Sequence, residues 1–326
     1  MTEGSPSVSR RGEIQVSPGQ HAQVARLLRQ ALWLDPLTDG EIQRQIWEDP
    51  GFEPGLQWGV ESSDGQLVGF VSAVVRQERQ ERVGYIKVIG VHPQWRRQGI
   101  GSQLLERVAR ELQTRGVREV RVGGSAPCYL WAGVDVRYTE AFCLFQKMGY
   151  SRYSDAINMT VDLATAPLDT DEDEVRLRQH GIETSRLRPE EMEEVGAWIE
   201  QRFGPNWRWE VAATLRNQPV GCFLARQVDH TQARGPVVGF AAYGGNRRNW
   251  FGPMGTEPDQ RHLGIGRTLL RLCLRDLREA GYTQAQISWT GPVAFYARAV
   301  NARMERSFWL MRKELAPPPP PQETNG

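Results

Sequence analysis

Two short glycine-bearing stretches hold residue types suited to gripping an anion. One reads Arg96-Arg97-Gln98-Gly99-Ile100-Gly101-Ser102 and the other Arg261-His262-Leu263-Gly264-Ile265-Gly266-Arg267. Each opens a stretch of helical apolar periodicity. At a helix start several backbone N–H groups lack intrahelical acceptors, and the macrodipole makes that end partly positive. Glycines let the backbone approach a ligand closely and the arginines add charge at the rim, so the pattern suits phosphate. A single copy also reads as a helix start with packing glycines, because short glycine motifs are weakly specific. Neither copy is a dinucleotide fingerprint, which needs a third glycine in a parallel βαβ unit. Neither is a Walker loop, which needs Gly-Lys-Ser/Thr.

The two copies belong to a longer repeat. Residues 93–116 and 258–281, offset by 165, share ten of 24 positions, among them Arg96/Arg261, Gly99/Gly264, Gly101/Gly266 and Leu105/Leu270. That offset is about half of the 326-residue chain, so duplication of a whole domain is the simple explanation. Before the first copy, the patterns predict a strand (13–16), helices (20–31, 40–47) and strands (56–61, 67–76, 82–91). After it they predict a strand (117–123), a helix (139–148) and a closing strand (152–161). The second half repeats the order: strand 181–188, helices 189–202 and 207–217, strands 221–228, 236–243 and 250–256, then the motif helix. Strand 284–289, helix 293–300 and strand 306–313 complete it. The expected fold is α/β of the α+β kind, two tandem domains each with a central, mostly antiparallel mixed sheet flanked by helices. The expected domains are 13–162 and 180–315. Residues 163–179, with an acidic run at 169–174, read as a linker, and the ends 1–12 and 316–326 as disordered.

Composition narrows the function. Forty Lys and Arg against 39 Asp and Glu leave a formal charge of +1, which argues against a coat for nucleic acid or an anionic membrane. No apolar run is long enough for a membrane span, and Met1–Gly12 lacks a secretory pattern, so a cytoplasmic protein is expected. The cysteines at 128, 143, 222 and 273 form no CxxC pair and have no histidine at zinc spacing, so free thiols and no metal are expected.

The stretch Val91-His92-Pro93-Gln94-Trp95-Arg96-Arg97-Gln98-Gly99-Ile100-Gly101 resembles the acyl-CoA signature of the GNAT superfamily of N-acyltransferases. Gly255-Thr256-Glu257-Pro258-Asp259-Gln260-Arg261-His262-Leu263-Gly264-Ile265-Gly266 resembles it equally well. The resemblance covers both halves and implies a tandem member, a group that includes mycothiol synthase and enzymes acetylating amino sugars. It implies that backbone amides of Arg97, Gln98, Gly99, Ile100, Gly101 and Ser102, with Arg96 at the rim, bind the CoA pyrophosphate. In the second copy the counterparts are His262, Leu263, Gly264, Ile265, Gly266 and Arg267, with Arg261 at the rim. Ile89 and Val91, and likewise Met254 and Thr256, would pair with the pantetheine arm. Gly90 and Gly255 are compatible with the bulge that in this family exposes an N–H to the thioester carbonyl.

The halves differ where the family places a proton donor. Tyr296 in the second half would protonate the leaving thiolate, a role open to a phenol that stays protonated at neutral pH. Phe145 holds that place in the first half and has no proton to give. The resemblance therefore implies catalysis in the C-terminal half, unless Tyr296 simply packs its ring on the core. Trp131 precedes Phe145 by 14 positions, whereas Trp289 precedes Tyr296 by 7, so the first half carries an insertion with Asp135, Arg137, Tyr138 and Glu140. It reads either as an acceptor-pocket wall or as a solvated loop. Asp135, Tyr138 and Trp289 are candidate acceptor contacts, and Trp131, Trp207, Trp209 and Trp250 either stack on a sugar or pack. Glu257, His92, Asp229 and His230 are possible bases, and none is assigned.

The implied activity is direct transfer of an acetyl group from acetyl-CoA to a small-molecule amine, an amino sugar being the favoured acceptor. The alternatives are a non-catalytic acyl-CoA-binding protein and an acetyltransferase for a protein or peptide amine.

Overall fold

A computed structural model describes residues 10–228 and 235–316. The candidate bases Asp229 and His230, the stretch before residue 10 and the proline tail from residue 317 lie outside those residues.

The chain forms two compact units. One takes the chain up to Asp155 together with the stretch from Phe308, and the other spans Ala156–Ser307. The first unit therefore takes its closing strand from the C-terminal stretch, and the contiguous second unit takes residues 159–162 of the strand expected to close the first. Strand pairing makes this concrete. Met311 to Glu314 pair antiparallel with Val122 to Glu119 in the first unit, while Met159 to Asp162 pair with Ile287 to Gln284 in the second.

In the first unit the sheet runs through β1 (Arg10–Gln15), β2 (Gln57–Ser62), β3 (Leu67–Glu78), β4 (Glu81–Val91) and β5 (Glu119–Val122) to residues 311–314. β6 (Val134–Asp135) pairs with Trp309 and Phe308. All neighbours are antiparallel except β4 and β5, which are parallel. β1 begins inside the segment expected to be disordered, because backbone pairing from Arg10 to Ser62 extends the edge.

Helices cover both faces. α1 (His21–Ala31) buries Val24, Ala25, Leu27, Leu28 and Ala31, and α3 (Ile100–Thr114) buries Ile100, Leu104, Leu105, Val108 and Leu112. Both sets follow the helical repeat, so each helix presents one apolar stripe. Between α1 and α3 in the chain lies the short α2 (Asp39–Ile42), capped reciprocally by Thr38 and Glu41. α4 (Thr139–Lys147) follows the insertion. With apolar cover on both faces, the first eight residues of β3 are all buried.

The second unit repeats the plan. From residues 159–162 of β7 (Ser151–Asp162), its sheet passes through the later strands in reverse chain order to β8 (Ile182–Arg186). The intervening strands are β9 (Cys222–Gln227), β10 (Val237–Tyr243), β11 (Trp250–Thr256) and β12 (Gln284–Ile287), with β11 and β12 parallel. The acidic run is not a linker: it starts the helix α5 (Asp171–Gln179), with four acids in its first turn and Arg176 and Arg178 in its last. That charge order complements the helix dipole at both ends. Next come α6 (Met192–Phe203), α7 (Pro205–Ala213), α8 (Ile265–Glu279) and α9 (Val293–Val300).

Candidate active site

The first motif and a break in the sheet create a cavity of about 650 Å³ in the first unit. β4 carries a bulge at Lys87: Val88 faces Ser72 and Ile86 faces Ala73, so Lys87 has no partner in the β3 register. The bulge inverts which amides face which neighbour. His92 N–H donates to the Val68 carbonyl, and strand alternation then turns Gly90 and Val88 toward β3. The amides of Ile89 and Val91 consequently face the β5 side. There β5 has already ended: its last rung is Gly123 N–H to the Ile86 carbonyl, after which Gly124 N–H turns to the Trp131 carbonyl. Two parallel strands thus part, and the edge of β4 is left open along one wall of the cavity.

Beside that edge lies the row of amides at the start of α3. Arg96 N–H closes onto the Pro93 carbonyl and Gln103 N–H onto the Gly99 carbonyl. Between them, Arg97, Gln98, Gly99, Ile100, Gly101 and Ser102 find no backbone acceptor among the described residues. Gly99 holds φ 83°, a left-handed turn that favours glycine and swings the chain into the helix. Arg96 braces the turn through hydrogen bonds to the Val91 carbonyl (3.3 Å) and the Ala31 carbonyl (3.0 Å). Of the expected residues, Ile89, Val91, Arg96, Arg97, Gly99, Ile100, Gly101 and Ser102 all line the cavity.

The insertion supplies another wall. Trp131, Gly133, Val134, Asp135, Tyr138 and Glu140 line the cavity, so it is not merely a solvated loop. A buried ion cluster under the bulge anchors it. Lys87 pairs with Asp49 and donates to the Cys128 carbonyl (2.7 Å), while Arg76 donates to Asp49 (2.7 Å) and to the Ser125 carbonyl (3.0 Å). Burial opposes the charge on Asp49, but the two cations outweigh it and hold its carboxyl below the usual range. Sequence reasoning missed Lys87 and Asp49. A lysine inside an apolar strand was the available signal.

The motif glycines are covered in both units: in the first, Leu144 lies 2.7 Å from a would-be Cβ at Gly101 and Leu28 lies 3.0 Å from one at Gly90. In the second, Met254 Cε and the Phe295 ring lie against Gly266, 3.1 and 3.7 Å from where a Cβ would stand. The Phe203 ring covers Gly255, 2.5 Å from its would-be Cβ. The loop itself winds into a 3₁₀ helix over Pro258–Leu263, whose i→i+3 bonds take up amides that the first loop leaves open. Asp173 of α5 accepts hydrogen bonds from Arg176 and Arg267, both at 2.6 Å, and from Arg271 at 3.3 Å. Arg176 also crowds Gly264. A carboxylate of the chain thus holds the cations at the start of α8.

Tyr296 is buried, edge-on to Phe295 (5.0 Å) and Phe251 (6.1 Å) in the core of the second unit. Burial pushes its phenol up to about 12, which makes it a weaker acid. Tyr296 thus packs its ring on the core while its phenol stays protonated at neutral pH. Trp289 is exposed, its backbone N–H donates to Asn158 Oδ1 (2.9 Å), and it does not line the cavity. Trp207 stacks on Phe203, and Trp250 is buried with Arg247 over its ring. His92 accepts from Gln94 N–H as a cap, and Glu257 is held by Trp198 Nε1 and Arg202 Nε, each at 3.0 Å. Both candidate bases thus have structural partners.

A mixed sheet whose two parallel strands part beside an open row of helix-start amides defines a fold built to seat a thioester arm, that of an acyltransferase. The chain belongs to the acetyltransferase (GNAT) family, whose model matches residues 25–129 and 180–300. Among solved structures it is similar to a fungal glucosamine N-acetyltransferase region within a multi-domain GH3 β-N-acetylglucosaminidase (18% identity, TM-score 0.74). That match covers 94% of this chain and 38% of the longer fungal one. A GCN5-related N-acetyltransferase from Sphaerobacter thermophilus aligns at 20% identity and TM-score 0.66, covering 94% and 96% of the two chains. A tandem GNAT protein from the clavulanic acid biosynthesis pathway aligns at 15% identity and TM-score 0.67, covering 94% and 99%. At these identities the likeness is one of fold. No curated protein matches. Among the described residues no helix is long and apolar enough to cross a membrane.

Proposed function

We propose that the chain is an acetyl-CoA-dependent N-acetyltransferase that works in its first unit and acylates the amine of a small molecule, an amino sugar being the favoured class. The observation that carries this reading is the parted β4 edge beside the open amides of Arg97 to Ser102, which fit a pantetheine arm and a pyrophosphate respectively. The glucosamine N-acetyltransferase likeness adds weight to the acceptor class.

The chain's own groups do the following. Ile89 and Val91 amides hold the arm as an added strand, and inward N–H groups beyond the bulge stabilise the oxyanion that forms when the amine attacks the thioester carbon. The ammonium first releases one proton to water. As the C–N bond forms and the C–S bond breaks, sulfur leaves as a thiolate and takes up the second proton that the nitrogen gives up. Phe145 fills the place of a donor and keeps that end dry, with the ring buried against Tyr150 at 5.2 Å. Direct transfer requires no cysteine nucleophile; Cys128, Cys222 and Cys273 are buried, while Cys143 is exposed and lines the cavity.

Acetyl-CoA offered with a panel of glucosamine, polyamines, a mycothiol precursor and a peptide amine tests the reading by thiol release. Acceptor-stimulated release with a small amine is expected. Binding of acetyl-CoA with no stimulated release by any amine contradicts it and favours a binding protein.

A further inference from the structure

Trp33 has an unusual setting for a large apolar side chain. It is 63% exposed and lines the cavity. Burying an indole is worth a large hydrophobic gain, so a solvated one on a cavity rim leaves that gain for a ligand. Its orientation is fixed by the residues that follow it. Leu34 N–H donates to the Tyr138 hydroxyl (3.0 Å), and that hydroxyl donates to Asp35 (3.2 Å), whose side chain is buried. The pair of bonds ties the loop after α1 to the start of α4 and sets the two rings edge to face, with centroids 5.9 Å apart at 72°. The result is an aromatic corner opening on the cavity.

A carboxylate stands close by in the chain. Glu140 lies two residues beyond Tyr138, in the first turn of α4, and lines the same cavity. Its carboxylate has no partner among the described residues. By contrast Asp135 is committed to Arg137, whose Nε and Nη2 donate to its two oxygens at 3.0 and 2.8 Å.

We infer that Trp33, Tyr138 and Glu140 form the acceptor subsite, and that it takes a saturated ring carrying a primary amine and hydroxyls. This rests on the acyl-transfer reading above. The apolar face of the ring stacks on Trp33, Tyr138 closes the corner, and the ammonium faces Glu140. Tyr138 is a positioning residue, since its hydroxyl is spent on Leu34 and Asp35. A flexible open-chain amine gains the carboxylate but not the stack.

The test compares glucosamine with ethanolamine in the full chain. Trp33→Ala is expected to raise KM for glucosamine about tenfold and to change the ethanolamine kcat/KM several-fold less. Trp33→Phe should restore most of the loss. Glu140→Gln should lower kcat/KM for both amines. Saturation-transfer NMR on the CoA-loaded wild type should label the glucosamine ring protons. Equal effects of Trp33→Ala on the two amines, no effect on either, or no saturation transfer to glucosamine overturns the subsite. A wild type that does not bind acetyl-CoA sinks the acyl-transfer reading and this one with it. Bound acetyl-CoA with ring-independent acceptors sinks this one alone.

Discussion

Asp173 and Arg267 stand 2.6 Å apart at the first turn of α8, where the first unit offers Ser102 and a row of open amides instead. Two helix starts with closely similar sequences have thus been put to different uses. One faces a cavity, and the other is tied to a carboxylate from α5.

Asp173→Asn should therefore act on stability and leave acetyl transfer alone. Its carboxyl is held below the usual range: burial works against the charge, and Arg176 and Arg267 overcome it. A lowered carboxyl adds stability above its unfolded value near 4, and the addition disappears as the pH falls through the lower folded value. Three partly exposed arginines share the pair, so a loss of about 1–2 kcal/mol at pH 7 is expected. Urea unfolding at pH 7 and pH 3 checks this, and the difference between the variant and wild type should be smaller at the lower pH.

Asp49→Asn should be more damaging. The side chains of Asp49 and Lys87 are almost fully buried, so removing the anion strands one cation beneath the bulge and weakens the hold on Arg76. Breaking such a pair costs about 3–5 kcal/mol. The double change Asp49→Leu with Lys87→Met should recover much of that loss. Thermal unfolding of the two variants beside wild type measures it. Single and double variants that melt alike would show that the ion pair is not what is lost.

Glu210 on α7 gives a pH dependence of opposite sign. Burial pushes its carboxyl up to about 8, partly offset by a hydrogen bond from Asn246 (3.0 Å). Between about pH 4.5 and 8 the folded chain holds a proton that the unfolded chain has released, so stability falls as pH rises through that window. The slope is at most about 1.4 kcal/mol per pH unit. Glu210→Gln should flatten it and raise stability at pH 8, as read from urea midpoints between pH 5 and 8.5.

Much of the fold was legible because its signals are local. Strands 67–78 and 81–91 and helices 100–114 and 265–279 follow from periodicity and glycine punctuation. The origin of each closing strand was not, since strands 151–162 and 303–314 are equally long and only pairing decides their unit. The acidic run misled because four acids suggest solvation, while the arginines one turn later mark a helix. At the site, the first loop and the insertion were visible as motif and length difference. The surroundings of each helix start were not, since Arg267 meets Asp173, and Leu144 covers Gly101, only in the folded chain.

Isothermal titration with acetyl-CoA, paired with turnover, of Ser102→Glu and Tyr296→Phe tests the choice of half most directly. Ser102 is partly buried at the start of α3 and lines the cavity, so a carboxylate there repels a pyrophosphate. Ser102→Glu should weaken acetyl-CoA binding by at least about tenfold, a cost of about 1.4 kcal/mol, and lower turnover with it. Tyr296→Phe should bind and turn over as wild type does. Intact binding in Ser102→Glu together with collapsed turnover in Tyr296→Phe would contradict chemistry in the first unit and return it to the second.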